Sequence, residues 1–452
     1  MPVNFTNILK KLSDNKKSSH SKTKVEDLFS VSSGSSGNSS SKSVLGSDLD
    51  IISYWDKKED SGTIALINDM FLHALKWNAS DIHIEPRDRV IKVRFRVDGN
   101  FLNYKDFALD KRDSIIARVK IIAYLRIDEH RLPQDGKIAY KLFWWKSVDM
   151  RVSVIPTIYW EKIVIRLLKK DDQPPKLKDL GIMPYNMVRL KTHLKDSYGM
   201  ILAVGPTGSG KSTTLFSLLS QFNPEEKNIS TLEDPVEYRI KWVNHTQINP
   251  AINFSFARGL RSLLRQDPDI IMVWEIRDEE TAKLAVEASI TGHIVFSTIH
   301  TNSATHTIQR LINLWVDPLL IASSLRMIIS QRLARKLCSH CKVGYQANEK
   351  IKEYIVWRVW RYIRDKEGLK LFKPSEWWCE KCNNTWFSWR IGLYEVLEMT
   401  EKLENLMLKN ASRMQLEIQA VWDGMIPIKD DALLKVVLWE TSLDEILSVL
   451  GT

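Results

Sequence analysis

Residues 205–212 read GPTGSGKS and lie between an apolar run, MILAV (200–204), and a helical run, STTLFSLLSQF (212–222). The stretch satisfies G-x-x-x-x-G-K-[ST], and a strand before it and a helix after it are the context the motif requires. Its glycines let consecutive backbone N–H groups curl around a phosphate chain, and the helix N-terminus adds its dipole. Gly205, Pro206, Thr207, Gly208, Ser209 and Gly210 form the candidate cradle, with Thr213 opening the helix beside it. Lys211 is expected to reach the β- and γ-phosphates of a bound ATP, and Ser212 to ligate Mg²⁺ through its hydroxyl.

Around the loop, short apolar runs alternate with helical patterns: MILAV, NISTLE (228–233), DIIMV (269–273) and HIVFST (293–298). That layout predicts an α/β core with a parallel, doubly covered sheet and its site at the strand C-termini. Binding phosphate is not hydrolysing it, which also needs a group to orient water and charge to stabilise the transition state. TLEDPVEY (231–238) supplies Glu233 and Asp234 at a strand end, EIRD (275–278) supplies Glu275, and TGHIVFSTIHTN (291–302) supplies His293 and His300. Taken singly, each acid is better explained as a cap or a surface ion pair and each histidine as a satisfied core or edge residue; three strand ends converging with a P-loop reverse that balance.

Ahead of this core, IALINDMFLHAL (64–75) predicts a helix and VIKVRFRV (90–97) a strand, with Asp98-Gly99 as a hairpin turn. Residues 112–125 predict a second helix, and MRVSVIP (150–156) and KIVIRLL (162–168) two more strands. The predicted organisation is a disordered tail at 1–50, where nine of the fourteen residues 30–43 are serine, and an α+β domain at 51–168. A linker follows at 169–184, the ATPase core at 185–335, a cysteine-bearing subdomain at 336–395 and a helical region at 396–452.

The net charge of +10 permits anionic partners, although a lysine-rich solvated surface accounts for it equally well. No apolar run is long enough to span a membrane and no secretory signal is visible, so a cytoplasmic location is expected. All four cysteines fall in two C-x-x-C pairs, Cys338/Cys341 and Cys379/Cys382, with 37 residues between the pairs. Four thiolates suit a closed, structural Zn²⁺ site better than disulfides in such a compartment.

At this point the sequence resembles the secretion ATPases that drive type II secretion and type IV pilus assembly. The resemblance rests on ASDIHIEP (79–86), VRFRVDG (93–99), LPQDGK (132–137), VDMRVSVIPT (148–157), GPTGSGKST, TLEDPVEY, FARGLRSLLRQDPD (256–269), EIRDEETA (275–282) and TGHIVFSTIHTN. It implies a homo-hexameric motor with a RecA-like P-loop ATPase domain, a preceding PAS-like domain and a tetracysteine zinc subdomain. It also implies Glu233 as general base, Glu275 as the acid that holds Mg²⁺ through water, and His293 and His300 as the histidine box. Arg151 and Arg166, on adjacent strands of the preceding domain, would contact phosphates. No folded domain is expected before residue 51. The implied partners are a membrane platform protein at the inner face of the cytoplasmic membrane and other copies of the chain, with no nucleic acid.

Two other readings compete. A nucleic-acid-stimulated motor would use Arg258, Arg261 and Arg265, which share a helical face, but no aromatic stacking platform accompanies them. A non-hydrolysing structural relative would follow if Trp274, just before Glu275, crowds the site. The chain has 16 tryptophans and only 18 glycines, and several tryptophans stand in turn contexts, Trp274, Trp315, Trp386 and Trp389 among those that suit glycine better. A gene whose UGA codons mean glycine would give this pattern when those codons are read as tryptophan.

Overall fold

A computed structural model describes residues 62–143, 146–168, 173–362, 369–382 and 384–451. The predicted tail at 1–50 lies outside the described residues, as does most of the charged stretch at the start of the predicted linker. The chain divides into two compact units near residue 170.

The first unit opens with helix α1 (Gly62–Lys76). Strands β1 (Asp81–Pro86), β2 (Val90–Val97) and β3 (Asn100–Ala108) follow, then α2 (Arg112–Ile122), and then β4 (Gln134–Phe143), β5 (Lys146–Thr157) and β6 (Trp160–Leu168). The strands form one antiparallel sheet in the order β3-β2-β1-β6-β5-β4. Alternation decides its faces: Ile91, Val93 and Phe95 of β2 point into a core shared with Ile67, Met70 and Phe71 of α1, while Lys92, Arg94 and Arg96 point outward. Helix α2 stops at Ile122, three residues short of the predicted end, because Tyr124 turns left-handed and its N–H bonds back to the Ile121 carbonyl. Beneath it the Lys120 ammonium, fully buried, sits 2.5 Å from Glu161.

The second unit contains α3 (Pro184–His193), β7 (Gly199–Val204), α4 (Lys211–Leu219), β8 (Ile229–Glu233), β9 (Asn244–Gln247), α5 (Phe256–Leu263), β10 (Ile270–Val273), α6 (Glu279–Ile290) and β11 (Ile294–Ile299). It continues with α7 (Ala304–Asn313), α8 (Pro318–Ser324), β12 (Leu325–Leu337), β13 (Val343–Gln346), α9 (Glu349–Val359), β14 (Lys370–Lys373) and β15 (Phe387–Glu398). Helices α10 (Glu401–Leu408), α11 (Arg413–Trp422), α12 (Ile428–Val437) and α13 (Leu443–Leu450) close the chain.

Seven strands form its main sheet in the order β15-β12-β7-β11-β10-β8-β9, all parallel except β15 at one edge. Strands β7, β8, β10 and β11 are buried along their whole length, which is why their sequences read as continuous apolar runs rather than alternating ones. Two apolar clusters cover the two faces. One holds Leu202, Ile271, Val273 and Val295 with α5 and α6; the other holds Ile201, Met272, Phe296 and Leu215. The sheet does not end at residue 335: β12 runs on to Leu337, and β15, from the predicted cysteine subdomain, pairs with it over eleven positions.

His193 at the end of α3 is clamped between two acids, with Nδ1 2.7 Å from Asp196 and Nε2 3.0 Å from Glu398 of β15. Glu398, against some opposition from burial, raises the imidazole above its usual 6.5. A raised folded value means the stabilisation is complete below about 6.5 and is lost as pH climbs through that raised value. Thermal melts from pH 5 to 9 should therefore show a melting-point gap between the chain and His193→Gln that narrows at the alkaline end. A gap that stays constant would mean the clamp carries no charge.

Candidate active site

The P-loop follows β7 directly, and its tip, Pro206 to Gly208, is exposed while Ser209 beneath it is buried. Gly210 caps α4 with a left-handed backbone (φ 86°), a conformation that costs glycine nothing. Gly205 is there because a side chain would not fit: a Cβ would lie 2.5 Å from the Gln331 carbonyl oxygen and 2.7 Å from Ser209 Oγ. Lys211 is nearly buried, and its ammonium donates to the carbonyls of Gly205 (2.9 Å) and Pro206 (3.1 Å), folded over the loop that a phosphate would enter. Burial pulls the Lys211 ammonium below its usual value, against the opposing charges of Glu275 and Glu237; a bound phosphate would supply the missing counter-charge.

Next along the sheet, β10 ends at Val273 and delivers Trp274 and Glu275 beside the loop. The Glu275 carboxylate is fully engaged, with Oε1 3.0 Å from His300 Nε2 and Oε2 accepting from Arg277 Nε at 2.7 Å. His300 follows β11, so the acid and the imidazole come from adjacent strand ends. Trp274 is fixed by its backbone, whose N–H donates to the Leu232 carbonyl and whose carbonyl accepts from Thr298 Oγ1. Its indole N–H donates to Ser212 Oγ at 3.1 Å. The hydroxyl expected to ligate Mg²⁺ is thus already taken by the side chain that the sequence makes hardest to place there.

Two expected residues behave differently. His293 precedes β11, whereas the P-loop and His300 lie past the C-terminal ends of β7 and β11. A six-residue strand separates the two histidines by roughly 20 Å. His293 instead bonds to the Ala288 carbonyl at 2.9 Å and does not join the cluster. Glu233 is fully buried, with Oε1 2.7 Å from His245 Nδ1 and 2.5 Å from the Thr231 hydroxyl that donates to it. Its other oxygen has no hydrogen-bond partner among the described residues. A carboxylate enclosed in this way does not present itself to an attacking water. Glu237, four residues on, is exposed, and its charge acts on Lys211.

The sequence does not single out Glu237, nor Gln331 and Arg332. Gln331 donates from Nε2 to the Ser209 carbonyl at 2.6 Å, pinning the loop from β12, and Arg332 donates to the Gln331 and Asn302 carbonyls. A signal existed for Glu237, since it stands in the same TLEDPVEY stretch. None existed for the β12 pair, whose place beside β7 comes from a crossover.

In the first unit, Arg151 and Arg166 are directly opposed on β5 and β6. Arg166 donates to Asp81 Oδ1 at 2.9 Å, while Arg151 has no polar partner among the described residues. Arg94 is committed to Glu85 and Arg96 to the Gly99 carbonyl. Of the arginines raised as a nucleic-acid face, Arg261 pairs with Glu280 and Arg265 donates to the Arg261 carbonyl.

The four cysteine sulfurs all lie within 4.8 Å of one another, and Cys341 Sγ is 3.9 Å from Cys382 Sγ. Tetrahedral Zn–S bonds of about 2.3 Å put sulfurs roughly 3.8 Å apart, far from the ~2.05 Å of a disulfide. The donor set fits a closed zinc site. Cys382→Ser is expected to abolish zinc binding, read by metal analysis of the purified chain, and to lower its melting temperature; full zinc retention would remove Cys382 as a ligand.

Residues 56–448 match the profile of the type II/IV secretion system proteins. The chain belongs to that family. It is 41% identical over 396 residues to the type II secretion system ATPase E of Vibrio cholerae, covering 87% of this chain and 76% of that one. It is 40% identical over 390 residues to the type IV pilus assembly ATPase PilB of Thermus thermophilus, covering 86% of this chain but only 43% of that one. Its relatives are ATPases of secretion and pilus assembly, and the chain is a member of that ATPase family. Among solved structures it resembles the Legionella pneumophila ATPase DotB (TM-score 0.62, 21% identity, 86% of this chain and 96% of that one) and the pilus retraction motor PilT with bound ADP (TM-score 0.56, 24% identity, 84% and 95%). These two likenesses establish a shared α/β ATPase fold. No described helix is long and apolar enough to cross a membrane.

Proposed function

We propose that the chain hydrolyses Mg²⁺-ATP at the P-loop, as a homo-hexamer docked on a membrane platform protein, to power pilus assembly or type II secretion. The observation that carries this is the convergence of Lys211, Ser212, Glu275 and His300 at the C-terminal ends of three neighbouring parallel strands. Lys211 neutralises phosphate charge, Ser212 and, through water, Glu275 hold Mg²⁺, and His300 orients Glu275. Glu237 takes the base role in place of Glu233, which with His245 braces the strand end. Arg151 and Arg166 supply the planar cations that stabilise transition-state charge. The first unit is read as PAS-like because its run β2-β1-β6-β5-β4 has that order, with β3 added at an edge. Zn²⁺ holds the tetracysteine subdomain.

A second reading rests on Trp274: with its indole on Ser212, the chain would be a structural relative that does not turn over. One assay separates the readings: ATPase rates of the chain, Trp274→Gly and Lys211→Ala, each with and without DNA. Hydrolysis lost in Lys211→Ala and indifferent to DNA supports the motor. Silence from both the chain and Trp274→Gly supports the structural relative, and strong stimulation by DNA supports a nucleic-acid motor.

A further inference from the structure

Twelve non-glycine residues have a left-handed backbone among the described residues: four asparagines, two aspartates, Tyr124 and five tryptophans. Asparagine and aspartate visit that region with local hydrogen-bonding help, whereas a bulky side chain there is an outlier. The tryptophans are Trp160 (φ 137°), Trp242 (65°), Trp315 (58°), Trp386 (61°) and Trp439 (62°).

Their settings are those that glycine fills. Trp315 ends α7 in a Schellman cap: its N–H bonds to the Ile312 carbonyl, and the Val316 N–H to the Leu311 carbonyl. Trp439 ends α12 with the same two bonds, to Val436 and, from Glu440, to Lys435. The chain supplies its own comparison, because Gly424 ends α11 and Asn410 ends α10 with that same pair of bonds. Trp160 closes the two-residue hairpin between β5 and β6. Trp386 sits in the metal knuckle, where its carbonyl accepts from the Cys338 N–H at 3.0 Å.

The Trp439 indole does some compensating work, donating to the Lys370 carbonyl at 3.0 Å and packing against Phe372, but two of the other rings do none. Trp315 is 75% exposed and Trp242 67% exposed, so their rings lie in water and not in a core that would oppose the strain. Five unrelated turns sharing one unsuitable residue call for one cause acting at the level of that residue. The glycine count of 18 in 452, low against an average near 7%, has the same explanation.

We infer that the protein made in its own cells carries glycine at Trp160, Trp242, Trp315, Trp386 and Trp439, each encoded by a UGA codon that those cells read as glycine. The same reading at 274 clears the indole from Ser212. The inference does not depend on the ATPase reading, because it concerns turns outside the P-loop cluster.

Peptide mass spectrometry of the protein purified from its native cells tests it. Glycine at all five positions is the expected result, and tryptophan at any one of them overturns the inference, since one codon has one reading. A second measurement uses the chain as written. Trp315→Gly and Trp242→Gly, whose rings are the most exposed of the five, should each raise its melting temperature by about 2–4 °C as the left-handed strain is relieved. A fall in both would show that these turns tolerate the ring and would overturn the physical basis of the inference.

Discussion

Replacing Trp274 by glycine is expected to raise the ATP hydrolysis rate by on the order of 10²–10³, the size of effect seen when one well-placed charge-stabilising contact is added or lost. The indole N–H of Trp274 occupies Ser212 Oγ, and a hydroxyl that accepts from an indole has less lone-pair density to offer a cation. The substitution leaves the strand end in place, because Leu232 and Thr298 hold the backbone of residue 274 and not its ring. The gain should appear in kcat and in the Mg²⁺ concentration giving half-maximal rate. Unchanged rates in steady-state assays across a Mg²⁺ titration would show that the indole moves aside when nucleotide binds.

In the Trp274→Gly background, Glu237→Gln is expected to lower kcat by about 10²–10⁴, the usual contribution of a positioned general base. Glu233→Gln should cost much less in rate, because the carboxylate is enclosed and already held by Thr231 and His245. Its loss should appear as a lower melting temperature, since Glu233 ties β8 to β9 through His245. Comparing single-turnover rates of the two variants decides the matter: full activity in Glu237→Gln would return the base role to Glu233.

The contrast between these acids shows where reading the sequence stops. Strands β7, β8, β10 and β11 were legible because burial on both faces writes itself as an apolar run, and the P-loop because its glycines are needed one by one. Position at a strand end was legible too, but not which way a side chain turns there. Glu233 and Glu275 look alike in sequence; one is sealed beneath the strand and the other faces His300. The resemblance groups His293 with His300, although a parallel strand puts its first and last residues at opposite edges of the sheet. Gln331 and β15 were not legible at all. Their place depends on which strand lies beside which after long crossovers, and no local pattern records that.

Strand β12 leaves the P-loop at Gln331 and reaches Cys338 one residue past its end, a run of roughly 23 Å at strand spacing. Its pairing with β7 ends at Ser330, and past Gln331 it is held by β15, with a register shift between Lys336 and Leu337. One strand therefore joins the residue that pins the Ser209 carbonyl to the first of the four cysteines. The clasp on the phosphate loop and the cysteine cluster are two ends of a single covalent span.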